Sequence, residues 1–308
     1  MSDHPLDRFV RERLQPPTLP AGLGRTWLTE ELKGVAGYSL RVERTLHSER
    51  SDYQQIDLYQ SYHHGKVLVL DGCVMLTELD EFLYHEMLAH TGAATLDDPR
   101  RAVVVGGGDG GAVRELLKYP SLEVTLAEID ERVVRLSQEH LPGVAGGLTD
   151  ERCTLHFGDG AAYLAAQPEG SLDLVLVDST DPVGPAEALV TEDFYREISR
   201  ALRPDGVLVA QTQSPFYHPD EVVQIHATLQ RVFKHATMFW SVCPAYLGFL
   251  WTFCYCSQER QPLAKALPSG LHKTLGTRFY SADVHRGAFA LPPFLQACLP
   301  EGHSQRDL

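Results

Sequence analysis

Residues 101–128, RAVVVGGGDGGAVRELLKYPSLEVTLAE, carry the reading that decides the fold. The unbroken apolar run AVVV suits a strand covered on both faces, and it ends in Gly106-Gly107-Gly108-Asp109-Gly110-Gly111. GAVRELLKY then spaces its apolar residues as a helix does, and LEVTLAEI returns to strand. Strand, glycine loop, helix and strand form one unit of a parallel sheet. The glycines let a ligand approach the backbone beside a helix N-terminus.

The alternation continues downstream. CTLHF precedes AAYLAA, LDLVLV precedes TEDFYREISRAL, and GVLVAQ precedes DEVVQIHATLQRVF. Met238 to Ser257 is uncharged and long enough to suggest a membrane span, but Pro244 and Gly248 break it. MFWSV and FLWTFCY therefore read as a buried hairpin with Tyr246 on the turn. The expected fold is an α/β, Rossmann-like, methyltransferase-type doubly wound sheet, with a parallel core and an antiparallel end pair. Upstream, YSLRVERTL, YQQIDLY, KVLVLDG and CVMLT predict a small antiparallel β domain over residues 25–79. Asp80 and Glu81 open the helix FLYHEMLAH, where acids favour the N-terminal end of the dipole, and the larger domain runs over 80–308. Residues 1–24 are Pro-rich and without periodicity, which predicts a mobile arm.

Composition narrows the function. A chain of 308 residues with 44% hydrophobic and 22% charged side chains is ordinary for a globular protein. Its formal charge of -14 disfavours nucleic acid and anionic lipid and favours cationic small molecules. The first twenty residues lack the apolar core of a signal peptide, so the cytoplasm is the expected location. Cys73, Cys153, Cys243, Cys254, Cys256 and Cys298 have no zinc spacing and read as reduced and mostly buried, with no metal site expected.

In such a sheet the ligand lies beyond the carboxyl ends of the strands. Glu128 ends the second strand, about twenty residues past the glycines, where a carboxylate can accept both ribose hydroxyls. Asp159-Gly160 ends the third, where Asp159 either accepts an adenine amine or caps a helix. A dinucleotide would set its pyrophosphate against Asp109, whereas a sulfonium of the S-adenosylmethionine type brings positive charge to it. The sulfonium is favoured. The fourth strand ends in Asp178-Ser179-Thr180-Asp181-Pro182-Val183-Gly184-Pro185, two acids three residues apart that suit a cationic co-substrate.

Taken in order, YQQIDLY, GKVLVLDG, TELDEFLYHEML, VVVGGGDGG, AEID, GDG, VDSTDPVGPAEAL and FYSADVHRGAFALP resemble the polyamine aminopropyltransferases, the spermidine synthase family, from about Trp27 to about Pro300. The resemblance implies that Gln54, His85, Asp109, Glu128, Asp159 and Gly160 hold decarboxylated S-adenosylmethionine, with Leu70 and Pro185 lining its pocket. It implies Asp178 as proton acceptor, and Tyr84, Asp178, Asp181 and Tyr246 as the diamine site. The implied reaction moves an aminopropyl group to putrescine, giving spermidine and methylthioadenosine. The donor is then a co-substrate and no cofactor is needed. Agmatine, cadaverine or spermidine are alternative acceptors. A methyltransferase and a non-catalytic nucleoside-binding protein are the rival readings, and a homodimer or homotetramer is the family expectation. One departure stands in the acceptor loop, where Leu247-Gly248-Phe249 replaces the small polar residues or glycines that the family often has.

Overall fold

The computed structural model describes residues 26–32, 34–180, 184–297 and 299, with the side chains of Gly184 and Pro185 left aside. The Pro-rich arm over 1–24, Cys298 and Asp181 therefore lie outside the described residues.

Five antiparallel strands form the first sheet in chain order: β1 (Trp27–Leu32), β2 (Ala36–Arg50), β3 (Gln55–Ser61), β4 (Lys66–Leu70) and β5 (Cys73–Thr77). Strand β1 was not foreseen. The Asp71-Gly72 turn between β4 and β5 has both residues at positive φ, 47° and 86°, as a tight hairpin turn requires.

Helix α1 (Phe82–Ala93) leads into the second sheet, which has the order β11-β12-β10-β9-β6-β7-β8. Its parallel core is β6 (Arg101–Gly106), β7 (Glu123–Glu128), β8 (Cys153–Phe157), β9 (Leu172–Asp178) and β10 (Leu202–Gln213). Strands β11 (His235–Val242) and β12 (Leu250–Ser257) add the antiparallel end pair. The stretch that resembled a membrane span is this hairpin, and among the described residues no helix is long and apolar enough to cross a membrane.

Alternate residues of each core strand enter opposite layers. Val104, Leu126, Leu176 and Val209 pack under α1 and α2 (Gly111–Leu116). Val103, Val105, Val175, Val177 and Leu208 pack under α4 (Gly160–Ala165), α5 (Glu192–Ala201) and α6 (Pro219–Val232). Strands covered on both faces have no polar side, which is why their sequences are continuously apolar. The small sheet joins this body at two places. Ile56, Leu68, Leu70 and Leu76 meet Val133 and Leu136 of α3 (Glu131–His140), while Val67, Val69 and Val74 meet Ala245 near the β11–β12 turn.

Glu86 ties the C-terminal segment to this body. It is buried in α1, and its carboxylate accepts the backbone N–H groups of Arg278, Phe279 and Tyr280, each at 2.8 Å. Glu86→Ala leaves these three donors without an acceptor and is expected to cost about 3 kcal/mol or more. Urea denaturation checks this, and an unchanged midpoint would detach the 278–280 segment from the stability of the fold.

Candidate active site

Strands β6 and β9 are paired neighbours, but the chain crosses from β6 to β7 on one side and from β9 to β10 on the other. Their carboxyl ends therefore splay, and a cleft opens where Gly106 stands in register with Asp178. This cleft of about 860 Å³ is lined by Gln54, Leu70, Tyr84, His85, Asp109, Glu128, Asp159, Gly160, Asp178 and Tyr246. Residues from both sheets thus line one cleft. Asp181 and the side chain of Pro185 lie outside the described residues, and Gly184–Val190 forms a 3₁₀ turn at the rim.

At its centre, Tyr84 donates its hydroxyl to Asp178 Oδ1 at 2.7 Å. Asp178 Oδ2 is buried and takes no hydrogen bond among the described residues. Burial, and then the Asp109 charge, push the Asp178 carboxyl up to about 6, against the pull of His85 and Tyr84. Asp109 behaves oppositely. Burial opposes its charge, but His85 Nε2 at 3.3 Å and the Gly111 N–H at 2.7 Å outweigh burial and hold it below the usual range. His85, Asp109 and Asp178 bring ligating atoms within 4.8 Å of one another. Two carboxylates facing one imidazole can hold a cation between them.

Only glycines allow this convergence. A Cβ at Gly107, which has φ +69°, would stand 2.7 Å from Asp178 Oδ2, and one at Gly111 would stand 2.3 Å from the His85 ring.

On the β7 side, Glu128 is buried with one oxygen accepting the Asp130 N–H at 2.9 Å. Burial pushes its carboxyl up to about 7, because the nearby backbone donors only partly offset desolvation and the Asp130 charge adds to it. Asp130 caps α3 by accepting the Arg132 N–H, and its other oxygen takes Ser51 Oγ at 2.6 Å and Gln54 Nε2 at 2.9 Å. Gln54 is therefore held to the cleft wall by a residue that the sequence did not single out. Asp159 caps α4 by accepting the Ala161 and Ala162 N–H groups through Oδ1, so the capping alternative is what that oxygen does. Gly160 lies against Val105, where a Cβ would meet Cγ1 at 2.6 Å.

The opposite wall is aromatic. Tyr246 stands edge-on to Tyr84 with centroids 5.7 Å apart, and its hydroxyl donates to the Met75 carbonyl at 2.7 Å. Its ring also packs against Trp251, with centroids 4.7 Å apart. Gln211 accepts from Trp251 Nε1 at 3.1 Å and donates to the Ser179 carbonyl at 3.0 Å, fixing the chain just after Asp178. The β10–β12 register shifts at Gln211/Gln213, and Gln211, Gln213 and Ser214 line the cleft.

Comparison with known proteins bears on this geometry. Residues 81–265 match a family model described as the spermine/spermidine synthase domain, and residues 26–78 match one described as the spermidine synthase tetramerisation domain. The polyamine aminopropyltransferase of Shouchella clausii is 41% identical over 274 residues, covering 89% of this chain and 98% of that protein. The polyamine aminopropyltransferase of Moorella thermoacetica is 42% identical over 277 residues, covering 89% and 96%. Among solved structures, a spermidine synthase in complex with the transition-state analogue AdoDATO superposes with a TM-score of 0.86 at 31% identity, covering 92% of this chain and 98% of that one. The spermidine synthase of Thermotoga maritima gives 0.84 at 30% identity, covering 92% and 97%.

Proposed function

The chain belongs to the spermine/spermidine synthase family and is a transferase of the polyamine aminopropyltransferase kind; we propose that it transfers the aminopropyl group of decarboxylated S-adenosylmethionine to putrescine, releasing spermidine and methylthioadenosine. The observation that carries this reading is Asp178 Oδ2, which has no hydrogen-bond partner among the described residues and is set beside Asp109 in a cleft with an aromatic wall. A diamine offers one nitrogen to Asp178 and keeps the other protonated. Tyr84, Asp178, Asp181 and Tyr246 are assigned to the acceptor, and Gln54, Leu70, His85, Asp109, Glu128, Asp159, Gly160 and Pro185 to the donor. An assay with labelled decarboxylated donor and a panel of amines tests the assignment. Faster transfer to agmatine, cadaverine or spermidine than to putrescine would replace the acceptor, and methyl transfer to any amine would overturn the reading.

Donor choice follows from the same charges. The carboxylate of S-adenosylmethionine would enter the space between Asp109 and Asp178, where one repulsion at about 4 Å and an effective dielectric near 20 amounts to about 4 kcal/mol before screening. S-adenosylmethionine is expected to bind at least about tenfold more weakly than its decarboxylated form, with Asp109→Asn narrowing the gap. Calorimetry with both compounds measures this, and equal affinities would contradict it.

Assembly into a dimer or tetramer belongs to the same proposal. It is supported by the description of the N-terminal family model and by the exposed Trp27 and Val35 on the β1–β2 hairpin. Light scattering reads the mass directly.

A further inference from the structure

His85 is held from two sides. Its Nδ1 lies 2.6 Å from Glu81 Oε2, one turn earlier at the start of α1, and its Nε2 lies 3.3 Å from Asp109 Oδ1. Both ring nitrogens thus face carboxylates, an arrangement that suits the imidazolium, which donates from both. The residue is almost wholly buried, and so is Glu81.

Glu81 is itself over-supplied with cations. Arg114 of α2 reaches it at 2.9 Å, and Arg278 of the C-terminal segment reaches it at 3.4 Å with its guanidinium over the Phe82 ring. Arg114 is shared with Glu115, and Glu86 fixes the backbone of Arg278. On the cleft side, the groups facing His85 and its partner carboxylate are Tyr84, Asp178 and Tyr246.

We propose that Glu81 is a positioning residue for the transfer: with Arg114 and Arg278 behind it, it holds the His85 imidazolium against Asp109, so that the cleft centre carries one net negative charge instead of two. The inference rests on the proposed aminopropyl transfer only for its kinetic consequence. Although burial opposes charge on His85, Asp109 and Glu81 together raise its pKa well above the ordinary value. The His85 charge in turn opposes the rise of the Asp178 carboxyl, so losing it should make Asp178 harder to ionise.

Two readouts test this. Histidine-selective NMR on the full chain follows His85 whatever the reaction is. The wild-type ring is expected to stay protonated across the Asp178 limb near pH 6, and Glu81→Gln is expected to lower its proton affinity at least about tenfold, far enough that the ring is substantially neutral over that limb. In kinetics, Glu81→Gln should move the acid limb of kcat/KM for the amine upward by about half a unit, roughly threefold in the ionisation constant. Glu81→Asp should restore part of that shift, and adding Glu81→Gln to His85→Gln should move the limb no further. An ordinary His85 midpoint in the wild type overturns the proposal even if no Glu81 variant folds. Equal midpoints in wild type and variant, or a limb shift that persists in the His85→Gln background, overturn it as well. If the wild type transfers no aminopropyl group, the proposed reaction fails while the NMR comparison still decides the role of Glu81 toward His85.

Discussion

Asp178→Asn is expected to fold, to bind methylthioadenosine as the parent does, and to lose at least about 100-fold in turnover, the usual scale for a missing acid or base. An alkyl amine with pKa near 10.4 is only about 0.04% neutral at pH 7, about 4.6 kcal/mol short of free base. From the sequence alone, Asp178 is an ordinary carboxylate near pKa 4 and a poor base. Burial changes this, because a carboxyl pushed up to about 6 holds a proton roughly 100-fold more tightly. Proton transfer from the ammonium to Asp178 remains uphill by about 6 kcal/mol and must precede attack, because only the neutral amine has the lone pair that displaces the sulfonium sulfur. Tyr84 holds Oδ1, leaving Oδ2 to meet the amine, and such positioning can supply roughly 7 to 11 kcal/mol. Asparagine keeps the Tyr84 bond and removes the proton acceptor. Since only the ionised form is active, wild-type kcat/KM should rise with pH through about 6, and this limb should vanish in the variant. Steady-state kinetics from pH 5 to 8 decide the matter, with near-normal turnover removing Asp178 from the chemistry.

The larger sheet was legible because its central strands are buried on both faces, as the continuously buried LDLVLV of β9 shows, and CTLHF and ERVVRLSQEH also coincide with β8 and α3 residue for residue. Strand β1 was not, since its half-exposed WLTEEL follows a Pro-rich stretch and pairs only with β2. The short helices Leu271–Leu275, Ala282–Ala288 and Pro293–Gln296 are too brief for a 3.6-residue period to register. In the cleft, the glycine loop and the strand-end acids could be read because a doubly wound sheet puts its ligand site at those ends. Their supports could not. Glu81 reads locally as an acid favouring a helix dipole, yet its carboxylate faces His85, Arg114 and Arg278, the last 197 positions away. Asp130 was not singled out; it caps α3 with one oxygen, and the other holds Ser51 and Gln54 across 79 and 76 positions. Such roles arise from tertiary packing, of α1, α2 and the C-terminal segment around Glu81 and of the two sheets around Asp130, and no local period encodes that.

Affinity for methylthioadenosine is expected to fall about tenfold for each pH unit below about 7, reaching roughly 100-fold between pH 8 and pH 5. The expectation rests on Glu128, whose carboxyl burial pushes up to about 7. In the proposed complex it accepts both ribose hydroxyls, which only the ionised form can do, so a protonated Glu128 must release its proton before the nucleoside binds. The free protein shows the other side of this linkage. Because the folded-state pKa lies above the unfolded value of 4.5, the folded chain retains a proton that the unfolded chain releases. Stability is therefore lost as pH rises from about 4.5 to 7, and above 7 the buried charge costs about 3 kcal/mol. The nucleoside's two hydroxyl donors replace the missing solvation, which couples donor binding to relief of that cost. Glu128→Gln removes the titration. It should bind methylthioadenosine about tenfold more weakly at pH 8, keep nearly constant affinity down to pH 5, and melt higher than the parent above pH 7. Calorimetry across that range measures the first two effects and thermal unfolding the third. A flat affinity profile in the parent, or an equally steep one in Glu128→Gln, would assign the ribose to another group.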